Sequence, residues 1–164
     1  MSSARIPYAY RMRHTEEGHE QMEQPMKSVV DGKRIQQWLD AQGYRVEYHE
    51  QAWIGLWGNI ALDFSVRGEH DKYLVVHGTE QGSHPNGQHD LLEDVCNAWN
   101  RYYEGPGAYL QSSENGLIFH TLFVVNCQGG MDDDQFDRLM KYAMAGSEGF
   151  LGFAREQLSR MRMA

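Results

Sequence analysis

Imidazole and carboxylate side chains carry much of protein chemistry, and in this chain several of them fall in one stretch, HGTEQGSHPNGQHD. It contains His77, His84 and His89, with Asp90 next to the last. These are the residue types that hold zinc or another transition metal. Their spacing matches no compact metal motif such as HExxH or paired CxxC. Glycine, proline, asparagine and serine dominate the stretch between them, so His84 and His89 ride a loop while His77 ends a strand. Two readings stand. The plainer is a solvated surface loop that contains histidine, with no cofactor. The sharper is a metal- or small-ligand-binding sensor that uses His77, His84 and His89. Glu80 and His120 add little, since His120 alternates with Phe119 and Thr121 and reads as a residue paired at a sheet edge.

Other chemistries are not supported by pattern. There is no Ser-His-Asp, Cys-His or GxSxG arrangement, and Cys96 falls inside a helical stretch where a nucleophile is badly presented. GxGxxG and P-loop motifs are missing too. Asp132-Asp133-Asp134 resembles half a calcium loop, but it lacks the alternating ligands and the closing glutamate, and acidic residues there suit the positive end of a helix dipole. The expectation is therefore a protein that is not an enzyme. A net charge of −8 repels phosphate backbones, which argues against nucleic acid as a partner. No apolar run reaches the length of a membrane span, and the basic N-terminal residues have no apolar core of the secretory kind. Cys96 and Cys127 are far apart and read as reduced, buried thiols, so a cytoplasmic location is expected.

The elements that position these residues follow from periodicity. Residues 1–27 are polar, lack sustained periodicity and read as a mobile tail; residues 28–164 read as a single domain. Ser28 and Asp31 resemble a capping box, Ile35, Trp38 and Leu39 make one helical face, and Gly43 sits where a helix ends. At Tyr44 the period changes from helical to alternating, with Tyr44, Val46 and Tyr48 on the buried side. AWIGLWGNIALDFSV reads as a hairpin whose Gly58-Asn59 turn supplies positive φ. KYLVVHG is a fourth strand. A second helix follows, capped by Asp90 with Glu93 three residues on, and Leu92, Val95, Trp99 and Tyr102 or Tyr103 face the core. After Gly105-Pro106-Gly107 comes a second hairpin across Glu114-Asn115-Gly116, whose long second strand, apolar on both faces, reads as central. The last helix carries Phe136, Leu139, Met140, Ala143, Phe150, Ala154 and Leu158 in one stripe, with Gly146 and Gly149 as points of bending or interruption. The order α-β-β-β-β-α-β-β-α predicts an α+β fold, a twisted antiparallel sheet with helices packed on it.

Two features ask for an explanation. Asn97 and Asn100 flank Trp99 on the second helix, and asparagine is a mediocre helix former because its side chain competes for backbone groups. At the border of the apolar stripe both can tie this helix to the turn that starts the second hairpin. Trp53 and Trp57 point to one face of their strand, Ile54 and Leu56 to the other. A strand apolar on both sides needs two covers. Each tryptophan buries about 150–250 Å², worth roughly 4–6 kcal/mol as an upper bound. Both readings remain open: the indoles lie in the core, or they form a partner interface.

WLDAQGYRVEY, CNAWNRYYEGPGAYLQ and the final DDDQFDRLMKYAMAGSEGFLGFAREQL together resemble the bacterial YbjN family of sensory transduction regulators, over about residues 28–160. NAWNRYY followed by a small break and a strand is the most specific part. The resemblance implies a fold similar to type III secretion chaperones, no established catalysis, and often a homodimer. Asn97, Trp99 and Asn100 match the family's motif positions, without an assigned catalytic role. Residues 1–27 and the histidine loop at 84–89 fall outside the family's pattern. The expected activity is regulatory or chaperone-like, acting through contact with a second copy or a client protein.

Overall fold

Residues 25–162 are described by the structure, a computed structural model. The polar tail read over residues 1–27 lies outside the described residues except for Pro25 to Lys27. The described chain runs α1 (Gly32–Ala41), β1 (Val46–His49), β2 (Ala52–Trp57), β3 (Ile60–Arg67), β4 (Tyr73–Glu80), α2 (His89–Tyr102), β5 (Gly107–Ser113), β6 (Gly116–Asn126) and α3 (Asp133–Arg162), with a short 3-10 turn at Asn86–Gln88. This is the element order that the periodicity predicts.

The six strands form one antiparallel sheet in the order β1-β2-β3-β4-β6-β5. β6, the long apolar strand, is internal but next to the β5 edge rather than central. Its neighbours fix which side chains share a face. Phe64 pairs with Val76 and Val76 with Phe123, while Leu62 pairs with Gly78 and Gly78 with Thr121. On that face Ile60, Leu62, Phe64, Leu74, Val76 and Phe119 are almost wholly excluded from water, packed with Ile35, Leu92, Met140 and Phe150 of the helices. Helix α3 is one unbroken element of 30 residues, so Gly146 and Gly149 do not interrupt it. Gly146 is glycine because a Cβ there would collide with the ring of Pro106. The Gly-Pro-Gly break is thereby seated directly on α3.

Local signals differ from expectation at several points. Asp31, not Ser28, caps α1, its carboxylate accepting from Arg34 N at 2.8 Å. Ser28 instead forms a β-bridge with Met131, and Arg34 donates to the carbonyls of both. Asp90 does not cap α2. That helix begins at His89, after a 3-10 turn, and its N-terminal flanking residue Gln88 makes no side-chain cap. In the β2–β3 turn Gly58 alone has positive φ. The β1–β2 turn uses Glu50 and Gln51 at φ 48° and 69°, a left-handed pair built without glycine. Tyr48 is 59% exposed rather than buried, on the short strand at the edge of the sheet. Tyr102 is exposed as well, and Tyr103, half in water, stacks on Trp99 with ring centroids 4.4 Å apart.

Candidate functional site

The sheet separates the three histidines that the sequence groups together. His77 lies on the face of the sheet on which none of the described helices packs, the helix-free face below, because it pairs with Asp63 and Leu122, the alternates of the buried residues. Glu80, three residues on, has the opposite parity and holds His84 on the helix side, His84 Nε2 lying 2.9 Å from Glu80 Oε2. His89 is exposed at the start of α2, 3.6 Å from Asp90. Among the described residues no group of three or more His, Cys, Asp or Glu side chains is placed to hold a metal ion. The set His77, His84 and His89 does not converge.

His77 belongs to a different constellation. Four neighbouring strands contribute one side chain each to a row across the helix-free face: Asp63 from β3, His77 from β4, His120 from β6 and Tyr109 from β5. Asp63 Oδ2 is 2.7 Å from His77 Nδ1. His77 Nε2 is 3.0 Å from the Tyr109 hydroxyl and 3.1 Å from His120 Nδ1. Thr79 Oγ1 reaches the same His120 nitrogen at 3.3 Å. The rings lie nearly parallel, His77 to His120 and Tyr109 to His120 each at 5.1 Å between centroids. His120 is therefore no edge residue. It is 8% exposed, on an internal strand, clasped between two rings.

The row has a definite electrostatic character. Burial first, and the neighbouring His77 second, hold His120 below the ordinary histidine range, with Asp63 acting in the other direction. Burial and the Asp63 charge push the Tyr109 hydroxyl up. A carboxylate against Nδ1 fixes the tautomer of His77 with its proton on that nitrogen, leaving Nε2 to accept from Tyr109 or His120. The arrangement can hold and pass a proton. Among the described residues the hydroxyl in contact with His77 is that of Tyr109, which burial and Asp63 disfavour as an anion.

On the other side of the sheet, Glu80 and His84 border a cavity of about 220 Å³, walled by Phe119, Leu151 and Leu158, with Arg155 and Ser159 of α3 at its lining. Glu80 Oε2 also accepts from the backbone N of Phe119 at 3.4 Å.

Trp53 and Trp57 face the helices and are half-buried against the core. Trp53 Nε1 donates to Gly32 O at 3.2 Å and its ring lies 4.7 Å from Tyr48; Trp57 packs edge-on against Tyr44 and Phe64. On the other face of the sheet Leu56 is 63%, Leu122 41% and Val124 49% exposed. Asn100 bonds both ways to Ala108 of β5, donating to its carbonyl at 2.8 Å and accepting from its N–H at 2.7 Å. Trp99 Nε1 donates to Pro106 O at 2.9 Å. Asn97 is exposed and takes no part in this tie. Both cysteines are buried and free, the Cys96 thiol pushed up to about 12 mainly by burial and secondarily by Glu93, which leaves it un-ionised and unreactive at neutral pH.

Residues Asp63, Thr79 and Tyr109 were not singled out by spacing. Their signal is parity: each is a polar or hydroxyl-bearing side chain at an alternate position of a strand whose other positions are core. No helix among the described residues is long and apolar enough to cross a membrane.

Comparison with known proteins agrees with this architecture. The crystal structure of YbjN from E. coli, described as a putative transcription regulator, superposes with a TM-score of 0.67 at 13% identity, covering 82% of this chain and 97% of that one. An uncharacterized protein from Methanothermobacter thermautotrophicus is similar at a TM-score of 0.52 and 14% identity, over 78% of this chain and 99% of the other. At these identities the likeness is one of fold. None of the curated proteins matches the chain. The family model "YbjN: Putative bacterial sensory transduction regulator" matches residues 31–153. That span covers most of the sequence, from the first helix well into the last, and on it the chain belongs to the YbjN family.

Proposed function

We propose that this protein is a non-catalytic regulatory module that works by holding another polypeptide, a second copy of itself or a client, against the helix-free face of its sheet. One observation carries this reading: the face of the sheet on which none of the described helices packs leaves Leu56 on β2 and Leu122 and Val124 on β6 in water, and exposed apolar groups on one surface mark interaction sites. The tryptophans do not serve as that surface in this reading, because their indoles already pack on the core of the same chain. A chaperone-like role follows from the same property, since an open sheet face can accept an extended or helical segment of a client. The test is native mass spectrometry and light scattering on the wild type and on Leu122→Asp/Val124→Asp. The wild type is expected to carry a second chain, and the double variant to lose it while its unfolding free energy stays within about 0.5 kcal/mol. A wild type that is a bare monomer, with no polypeptide bound when purified from its own cells, overturns the proposal.

A second reading, a small-ligand sensor, is favoured by the cavity beside His84. There the Glu80–His84 pair and Arg155 border a space of about 220 Å³ of mixed polar and apolar lining. Native spectra of the same protein separate the two: an extra small mass lost in His84→Ala and Arg155→Ala favours the ligand site.

A further inference from the structure

The cavity beside Glu80 and His84 is built by a detour in the sheet. β4 ends at Glu80, the chain leaves the ladder over Gln81 to Ser83, and it returns at His84, whose N–H and carbonyl both bond Leu117 of β6 at 2.8 Å. Gly116, at φ 122°, permits that return, because a Cβ there would collide with the His84 carbonyl. Glu80 and His84 are thereby held side by side, their side chains only 12% and 18% exposed. Phe119 meets the imidazole edge-on at 4.9 Å between centroids. The facing wall is one stripe of α3, since Leu151, Ala154, Arg155, Leu158 and Ser159 fall at i, i+3, i+4, i+7 and i+8. Ala154, a methyl between two leucines, leaves the room.

Two opposite charges border this space and are not paired with each other. Glu80 Oε2 lies 2.9 Å from His84 Nε2 and accepts from the Phe119 N–H at 3.4 Å. Glu80 Oε1 takes no hydrogen bond among the described residues, and since no buried side-chain polar atom there goes unpartnered, it opens on the cavity. Arg155 forms no ion pair among the described residues, and the positions one turn away on α3 are Leu151, Gly152, Leu158 and Ser159, none of them acidic. With Nε2–H of a neutral His84 on Glu80, the lining carries one negative and one positive charge around apolar Phe119, Leu151, Ala154 and Leu158. We infer that the cavity takes the zwitterion of a free apolar α-amino acid of leucine's size, its ammonium on Glu80 Oε1, its carboxylate on Arg155 and its side chain against Leu151, Leu158 and Phe119. The inference rests on the second reading above, the small-ligand site, and names its ligand. Charge selects the class. A simple carboxylic acid is repelled by Glu80, a simple amine by Arg155, and either leaves one wall charge unanswered. A zwitterion answers both. Volume agrees: about 220 Å³ lies below the about 300–1,000 Å³ of sites for drug-sized ligands, which is room for one amino acid.

Isothermal titration on the full chain compares leucine with leucinamide, which lacks the carboxylate, and with N-acetylleucine, which lacks the ammonium. Leucine is expected to bind roughly tenfold more tightly than either, or better. Arg155→Gln, at an exposed side chain, should weaken leucine roughly tenfold and leave leucinamide unchanged. Glu80→Gln should weaken leucine and leave N-acetylleucine unchanged. Ala154→Leu, which fills the space without touching either charge, should abolish binding, with circular dichroism and thermal melts showing that each variant is folded. If Arg155→Gln weakens leucine and leucinamide alike, or if N-acetylleucine binds as tightly as leucine, the zwitterion is overturned. If no apolar amino acid binds while native spectra show another small mass lost in His84→Ala, the class of ligand falls and the site stands. If no amino acid binds and no small mass is present, the small-ligand reading falls with it.

Discussion

The two faces of the sheet are built from alternate residues of the same strands, yet they resist water in different ways. On the helix side Phe64, Leu62, Val76 and Phe119 are sealed by apolar residues of the helices, and a wholly buried polar contact there, Thr121 Oγ1 donating to Ser147 Oγ at 2.8 Å, is small and paired. On the open side a row of titratable groups satisfies itself laterally, strand to strand, while Leu56, Leu122 and Val124 remain in water beside it. The first face specifies the fold through volume and shape. The second is organised by hydrogen bonds that need nothing above them. A surface ordered in this way holds its own side chains in place.

The comparison breaks most visibly at β6. Phe119→Ala should cost about 3–5 kcal/mol, because it leaves a cavity between sheet and α3. Leu122→Ser, on the same strand with its side chain on the other face, should cost no more than about 0.5 kcal/mol. Urea denaturation measures both, and similar losses would mean that the two faces do not differ as described. A smaller contrast lies in the asparagines. Asn100→Ala leaves the Ala108 amide without its partners and should cost about 1–3 kcal/mol, whereas Asn97→Ala should be nearly silent; equal losses would return Asn97 to the tie. The smallest effect sharpens the open face. The native state holds His120 below the unfolded value, so the unfolded chain binds more protons and stability rises with pH across the histidine range. The contribution is complete above about pH 6.5 and declines as pH falls toward the native value. Thermal melts of the wild type should show this slope, and His120→Gln should flatten it.

Much of the fold was legible because it is local. The change of period at Tyr44, the Gly43 end of α1 at φ 74°, the alternation of Ile60, Leu62 and Phe64 and the stripe on α3 all depend on near neighbours. What failed depends on distant ones. Ser28 reads as a cap but pairs with Met131, far along the chain. Tyr48 has the parity of a buried residue but lies exposed on the edge strand. The row failed to appear for the same reason: Asp63, His77, Tyr109 and His120 are neighbours only once strand order and register are known, and β6 lies between β4 and β5 by a connection that periodicity does not encode. Proximity in sequence instead grouped His77 with His84 and His89, which a single change of parity sends to opposite sides. Asn100 was legible as a tie because helix, break and strand are consecutive there.

That tie also bears on how the molecule avoids its own kind. β5 is an edge strand, and the edge of a sheet is an open template for another strand. The amide of Asn100 occupies both hydrogen-bonding groups of Ala108 on the side where a further strand would lie. One side chain from α2 therefore imitates a peptide unit and closes the start of the edge to polymerising neighbours. One face of the sheet is free of the described helices, while the beginning of its β5 border is guarded against runaway growth.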